Sequence, residues 1–126
     1  MTMKYTMAIV GLMALTGCLE EEADLDPVRV AHGEEVFSTC TACHSIQARS
    51  NQVGPHLVDL IDRPAGTVEG YAYSEAMMQS GLVWTPDQLK AFLLDPLGTV
   101  PGTKMALGEI SDEDAGDVVV YIQSLQ

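Results

Sequence analysis

Basic residues are scarce in this chain. Six Lys and Arg stand against 18 Asp and Glu, for a net charge of -12. So few cations exclude binding to nucleic acid through phosphate contacts, and no nucleic-acid partner is expected. Aromatic residues are also few, at 6%. A chain of 126 residues fits one domain, and with few aromatics its core is small. A buried cofactor would add the missing apolar surface. There are only three cysteines, Cys18, Cys40 and Cys43. An odd number argues against a plain disulfide framework. Long apolar runs are missing too: Met7 to Leu15 is too short to span a bilayer comfortably.

That short run has the form of a secretory signal, with Lys4 before it and small residues after it. It ends in Leu15-Thr16-Gly17-Cys18, which resembles the lipobox of bacterial lipoproteins. The resemblance implies a signal peptide over residues 1–17, cleavage before Cys18 and acylation of that cysteine. Several acyl chains hold a protein on a membrane, whereas one does not. The acidic stretch to Asp26 lacks apolar periodicity, so residues 18–26 read as a solvated tether. Fully extended, Leu19 to Asp26 reaches on the order of 25 Å.

A single domain is expected over residues 27–126. Asp26-Pro27 suits a helix start, and Val30, Gly33, Phe37 and Cys40 recur at helical spacing. Glycine in mid-helix costs about 1 kcal/mol, so Gly33 calls for a close approach by another segment. From Ser45 to Gly70 periodicity is weak, and Gly54-Pro55, Arg63-Pro64 and Gly66 mark loops. A short helix is expected over Ser74–Ser80. Thr85-Pro86-Asp87-Gln88 starts another, with Leu89, Phe92 and Leu93 inward and an end before Pro96. Gly98 to Gly108 reads as a loop. Ser111 and the acids after it open a last helix, with Ala115, Val118, Val119, Ile122 and Leu125 on one face. Only Val118-Val119-Val120 is locally β-favouring, so the fold class is all-α. Loops this long in a small domain usually wrap something.

Cys40-Thr41-Ala42-Cys43-His44 is the attachment pattern for c-type haem. Two thiols at this spacing reach the two vinyl groups, and the following imidazole can turn onto the iron. Two rivals exist. A thioredoxin-like redox pair needs a βαβ setting that the flanking sequence lacks. Half a zinc site needs ligands such as His32 or His56, and there is no second Cys pair. The sixth iron position can take a thioether, and Met105 lies in the late loop Pro101-Gly102-Thr103-Lys104-Met105. A lone Met is more often core filler, so its surroundings decide.

Those surroundings resemble a class I cytochrome c, of the bacterial c2/c550 and mitochondrial kind. Besides the attachment motif, Gly54-Pro55-His56-Leu57, Tyr71-Ala72-Tyr73-Ser74, Trp84 and Pro101 to Met105 follow in the family's order, from about Val30 to Leu125. The resemblance implies packed N- and C-terminal helices plus loops wrapping one covalently bound haem c. It implies thioethers at Cys40 and Cys43, His44 as proximal ligand and Met105 as distal ligand. It also implies a Pro55 carbonyl on the second nitrogen of His44, which orients the ring. Tyr73, Trp84 and Arg63 match positions that contact a haem propionate; Ser74 is a weaker match. Gly33, Phe37, Val118 and Tyr121 match a helix crossing in which Gly33 makes room for the Tyr121 side chain.

The chain also departs from the family pattern. His56 stands where Asn is frequent, as a pH-sensitive group or a surface residue. Met77 stands where mitochondrial members carry Asn. Glu34 and Glu35 stand on the helix before the motif, in a region where mitochondrial members carry lysines.

The expected function is single-electron transfer, not enzymatic catalysis, by a carrier anchored through Cys18 on the periplasmic side of a bacterial membrane. Its expected partners are redox proteins of a respiratory or photosynthetic chain, and it is expected to be a monomer. Two alternatives stay open: an electron-entry subunit of a larger complex, and a haem-based sensor or peroxidase.

Overall fold

The computed structural model describes residues 25–126. The expected signal peptide, Cys18 and the tether up to residue 24 lie outside the described residues. Five helices are present among them: α1 (Pro27–Phe37), α2 (Glu75–Met78), α3 (Pro86–Leu94), α4 (Pro96–Thr99) and α5 (Asp112–Ser124). There is no strand among the described residues, only an isolated antiparallel bridge between Pro64 and Val83. No helix among them is long and apolar enough to cross a membrane.

The helix starts follow their capping chemistry. The side chains of Asp26, Ser74, Thr85, Asp95 and Ser111 each accept a bond from a backbone N–H in the first turn of α1 to α5, respectively. This satisfies donors that a helix start otherwise leaves without partners. Asp112, Glu113 and Asp114 add negative charge where the α5 dipole favours it.

Several boundaries differ from the sequence expectation. α1 ends at Phe37, and the chain tightens into a 3-10 turn over Ser38–Ala42, so Cys40 does not continue the helix. α2 is shorter than Ser74–Ser80 because Ser74 is its cap. α4 takes the first residues of the expected Gly98 loop, since Asp95 Oδ1 accepts from Gly98 N at 2.8 Å. Leu125 is 47% exposed, because α5 stops one residue before it.

α1 packs across α5, and α5 packs on α3. Phe37, Ala115, Val118 and Ile122 are buried at this junction, with Leu89, Phe92 and Leu93 from α3. Each large side chain buried there contributes about 1.5–3 kcal/mol. Phe37 and Tyr121 meet with ring centroids 5.4 Å apart. At Gly33 a β-carbon would overlap the Asp117 backbone carbonyl and lie 2.9 Å from Tyr121 Cβ. The tightest neighbour is thus the α5 backbone, not the aromatic ring expected from sequence. A glycine is required because the two helices approach there at backbone distance.

A charged cluster crosses the same junction. Asp117 is 5% exposed on α5. It accepts from Arg29 Nε at 2.6 Å and from His32 Nδ1 at 2.8 Å, both on α1. His32 Nε2 lies 3.5 Å from Asp114. These carboxylates raise the His32 pKa, the Asp117 hydrogen bond most of all. The Asp117 pKa is lowered, chiefly by the bond from His32 and then by Arg29, with burial opposing. A buried carboxylate requires such partners.

Candidate cofactor site

The loops close a cavity of about 360 Å³ against the helical frame. Its walls are apolar: Phe37, Leu57, Leu60, Leu89, Phe92 and Val118 among others. Cys40, Cys43, His44, Pro55, Arg63, Tyr73, Trp84 and Met105 all line it too. All eight residues singled out from the sequence for the cofactor therefore meet around one cavity. His32 and His56 do not line it.

The 3-10 turn shapes the attachment segment. Cys43 N and His44 N both donate to the Cys40 carbonyl, at 3.1 and 3.0 Å. The turn winds three side chains onto one wall. Cys40 and Cys43 are half-buried and form no disulfide with one another.

His44 is fixed by the loop that follows. Gly54 N donates to the Cys43 carbonyl at 2.8 Å, and Leu57 N to the Ser45 carbonyl at 2.7 Å. These bonds fold residues 54–57 back over the imidazole. His44 Nδ1 donates to the Pro55 carbonyl at 2.7 Å. A carbonyl only accepts, so Nδ1 carries a proton, and in the neutral imidazole Nε2 keeps its lone pair. A β-carbon at Gly54 would overlap the His44 ring. Gly54 is needed for this close approach, and the acceptor beside it is the backbone carbonyl of Pro55.

Arg63 and Trp84 are brought together by short backbone pairing. Asp62 N donates to the Trp84 carbonyl at 3.1 Å, and Trp84 N to the Arg63 carbonyl at 3.0 Å. Ala65 N donates to the Leu82 carbonyl at 2.8 Å. Before this pairing, Asp59 and Asp62 adopt φ of 51° and 61°, a left-handed conformation that Asp tolerates better than most residues. Trp84 is 7% exposed and packs on Phe92. Tyr73 accepts from Val68 N at 3.2 Å, which leaves its own hydroxyl proton free to donate. Burial raises the Tyr73 pKa, so the phenol stays protonated. Ser74 is spent as the α2 cap and does not line the cavity.

Arg63 Nη1 and Nη2 donate to the carbonyls of Val58 at 3.0 Å and His56 at 3.2 Å. Its Nε is buried with no partner among the described residues. A buried donor without an acceptor is costly. Burial lowers the guanidinium pKa, yet arginine stays charged. An orphaned cationic donor on the wall of an apolar cavity, with Trp84 and the Tyr73 hydroxyl on the same walls, fits the carboxylate of a haem. The apolar walls fit its ring.

Met105 lines the cavity from the late loop, beside Lys104 and Leu107. Met105 N donates to Thr103 Oγ1 at 3.3 Å, and Lys104 Nζ to the Ala72 carbonyl at 2.8 Å. The second bond ties this loop to the segment carrying Tyr71 and Tyr73. Met77, 7% exposed, is a further apolar wall residue. His56 is no surface residue: it is 7% exposed, with Nδ1 buried and unpartnered among the described residues. Burial is the main cause of its lowered pKa, with Arg63 next.

Two sets of residues were not singled out from the sequence. One is the pairing of Arg29 and His32 with Asp117, for which a lone acid on the apolar face of α5 is a readable signal; the sequence offered His32 only as a zinc ligand. The other is Asn51, whose bonds reach 5 and 18 residues along the chain and leave no pattern.

Comparison with known proteins shows the family. The family model described as cytochrome c matches residues 30–126. The chain is 39% identical over 117 residues to cytochrome c2 of Blastochloris viridis, covering 91% of this chain and 90% of that one. It is 45% identical over 98 residues to cytochrome c2 of Agrobacterium tumefaciens, covering 74% and 88%. Among solved structures, cytochrome cH from Methylobacterium extorquens superposes with a TM-score of 0.71 at 39% identity, covering 75% of this chain and 97% of that one. With its Cys-x-x-Cys-His motif on the wall of an apolar cavity, this chain belongs to the cytochrome c family, whose haem c is covalently bound.

Proposed function

We propose that this protein is a membrane-tethered monohaem cytochrome that passes single electrons between redox partners. The observation that carries the reading is the joint presence, around one apolar cavity, of the attachment cysteines, a histidine with a free Nε2 lone pair and a methionine. In this reading Cys40 and Cys43 would hold the haem through thioethers, and His44 Nε2 and the Met105 sulfur would ligate its iron. The haem, when bound, supplies one-electron exchange at iron, with the reduced state favoured by a thioether ligand. The protein residues position and insulate. Pro55 holds the His44 ring and its tautomer. Arg63 Nε, the Tyr73 hydroxyl and the Trp84 indole N–H donate to a propionate. The apolar walls exclude water, so charge changes meet little solvent reorganisation. With two protein ligands to the iron, the haem would serve electron exchange and not substrate binding.

The partner reading rests on charge. Each of the five basic side chains among the described residues is already engaged. Arg29 holds Asp117, Arg49 holds Asp59, and Lys90 holds Asp112. Arg63 and Lys104 hold backbone carbonyls. The exposed cavity-lining residues are Thr39, Val53, Ala106 and Lys104, and of these only Lys104 carries a charge. A redox partner therefore docks on a sparsely charged rim of an acidic protein, and the salt dependence of electron transfer reports the sign of that partner's surface. The tether reading rests on the apolar run, the lipobox-like ending at Cys18 and the acidic spacer. An acylated Cys18 holds the domain on the periplasmic face and raises its effective concentration for membrane partners.

The test uses the full chain matured with haem in a bacterial host. Expected results are a one-electron Nernstian titration, slow CO binding by the reduced protein at neutral pH, and haem in the membrane fraction. Cys18→Ser releases that haem to the soluble fraction. Rapid CO binding contradicts the carrier reading, and unchanged membrane retention of Cys18→Ser contradicts the anchor.

A further inference from the structure

The peptide group between Pro55 and His56 is bonded at both ends. Its carbonyl accepts from His44 Nδ1 at 2.7 Å. Its N–H, on His56, donates to Asn51 Oδ1 at 3.1 Å. The Asn51 amide is oriented without ambiguity. His56 N is a donor and so faces Oδ1. The opposite end, Nδ2, donates to the Glu69 carbonyl at 3.0 Å. A single chain of hydrogen bonds thus runs from the Glu69 carbonyl through the Asn51 amide and the 55–56 peptide to the His44 ring. The next carbonyl, that of His56, is held separately by Arg63 Nη2 at 3.2 Å.

We infer that Asn51 is a positioning residue for the haem ligand, acting through this peptide. The inference rests on the reading of His44 as the proximal ligand. Two physical effects operate. Fixing the N–H end fixes the plane of the peptide, and so aims the carbonyl at Nδ1. A bond accepted from the N–H also polarises the carbonyl, because linked hydrogen bonds strengthen one another. A stronger acceptor on Nδ1 makes the imidazole a more basic ligand, which favours the oxidised iron. Loss of the Asn51 acceptor therefore weakens the His44–Pro55 bond and raises the reduction potential.

The alternative role for Asn51 is a simple tie between the loop at residues 51–57 and the segment at Glu69. Two substitutions separate the roles. Asn51→Leu removes both bonds. Asn51→Asp keeps, and makes anionic, the acceptor for His56 N–H, but removes the donor to Glu69. The full-length haem-loaded protein is used, with two readouts: the His44 Nδ1 proton by NMR in the reduced state, and the reduction potential. In the unsubstituted protein, His44 ring resonances carrying the large upfield shift of a haem ligand establish the underlying reading; their absence overturns that reading and this inference with it.

With that signature present, Asn51→Leu is expected to move the His44 Nδ1 proton upfield. It should also shift the equilibrium with a fixed redox buffer toward the reduced form, about two- to fivefold, a fraction of one hydrogen bond. Asn51→Asp is expected to move the proton downfield and the equilibrium toward the oxidised form. Proton shifts in the same direction in both variants, or none in either, overturn the inference and leave Asn51 as a loop tie. Should Asn51→Leu fail to assemble, Asn51→Asp decides alone: a downfield move supports the role, and an unmoved or upfield proton overturns it.

Discussion

The helical frame and the loop-rich wall of this molecule are built on different principles. The frame of α1, α3 and α5 is joined by apolar stripes, with Phe37, Val118 and Ile122 buried between them. The wall over residues 45–74 and 100–110 has little regular structure. It is organised by single side chains that bond distant backbone. Asn51 bonds Glu69 and His56, Tyr71 bonds Val53, Arg63 bonds Val58 and His56, and Lys104 bonds Ala72. In the frame many interchangeable contacts share the load. In the wall each bond has one donor and one acceptor, and no neighbour replaces it. The frame therefore sets stability, while the wall sets how the side chains that line the cavity are held.

The largest expected effect comes from adding one methyl group on each side of this divide. Gly33→Ala drives a β-carbon into the Asp117 carbonyl and separates α1 from α5. The expected cost is about 3 kcal/mol, read as a lower urea midpoint. Gly54→Ala drives a β-carbon into the His44 ring. Here the visible haem spectrum changes while far-UV circular dichroism keeps its helical signal. If both variants lose helix and ligation together, the two regions are not separable.

Arg63→Met comes next. It leaves the Val58 and His56 carbonyls without their donors and removes the buried Nε. The expected loss is about 2 kcal/mol, with a shifted reduction potential. An unchanged potential would break the link between this arginine and the cofactor.

A smaller effect, confined to the frame, appears as a pH dependence. The His32 pKa is raised in the folded state, so its contribution is complete below about 6.5, the usual histidine value, and is lost as pH rises through the higher folded value. The Asp117 pKa is lowered, so its contribution is present above the usual carboxylate value and is lost as pH falls through the folded one. The clasp between α1 and α5 is strongest between these limits. Urea midpoints from pH 6 to 9 are expected to fall for the natural protein and to flatten for His32→Gln. The smallest expected change is Ser111→Ala at the α5 cap, about 1 kcal/mol by the same unfolding measurement, with ligation untouched.

Legibility in the sequence follows the same divide. Asp26, Thr85 and Ser111 were readable as caps because capping is local, and the buried face of α5 was readable because helical period is local. The proposed ligand set rests on ordered motifs, Cys40-x-x-Cys43-His44, Gly54-Pro55 and Met105, whose named residues line one cavity. Cys40 was misplaced on a continuing helix because a 3-10 turn differs from an α-turn by geometry, not composition. Gly33 was assigned to the right crossing, but its nearest neighbour is a backbone carbonyl, which no residue type reveals. His56 carries a polar side chain in a segment without periodicity, and only the folded loops show it buried. Asn51 was invisible because its two partners are backbone atoms, which every residue has.

The central claim, that His44 and Met105 together fill the axial positions, is tested most directly by the near-infrared spectrum of the oxidised protein at neutral pH. The expected result is a low-spin spectrum with the weak Met-to-iron band, lost in Met105→Leu. A high-spin ferric spectrum, or a band that survives in Met105→Leu, would contradict it.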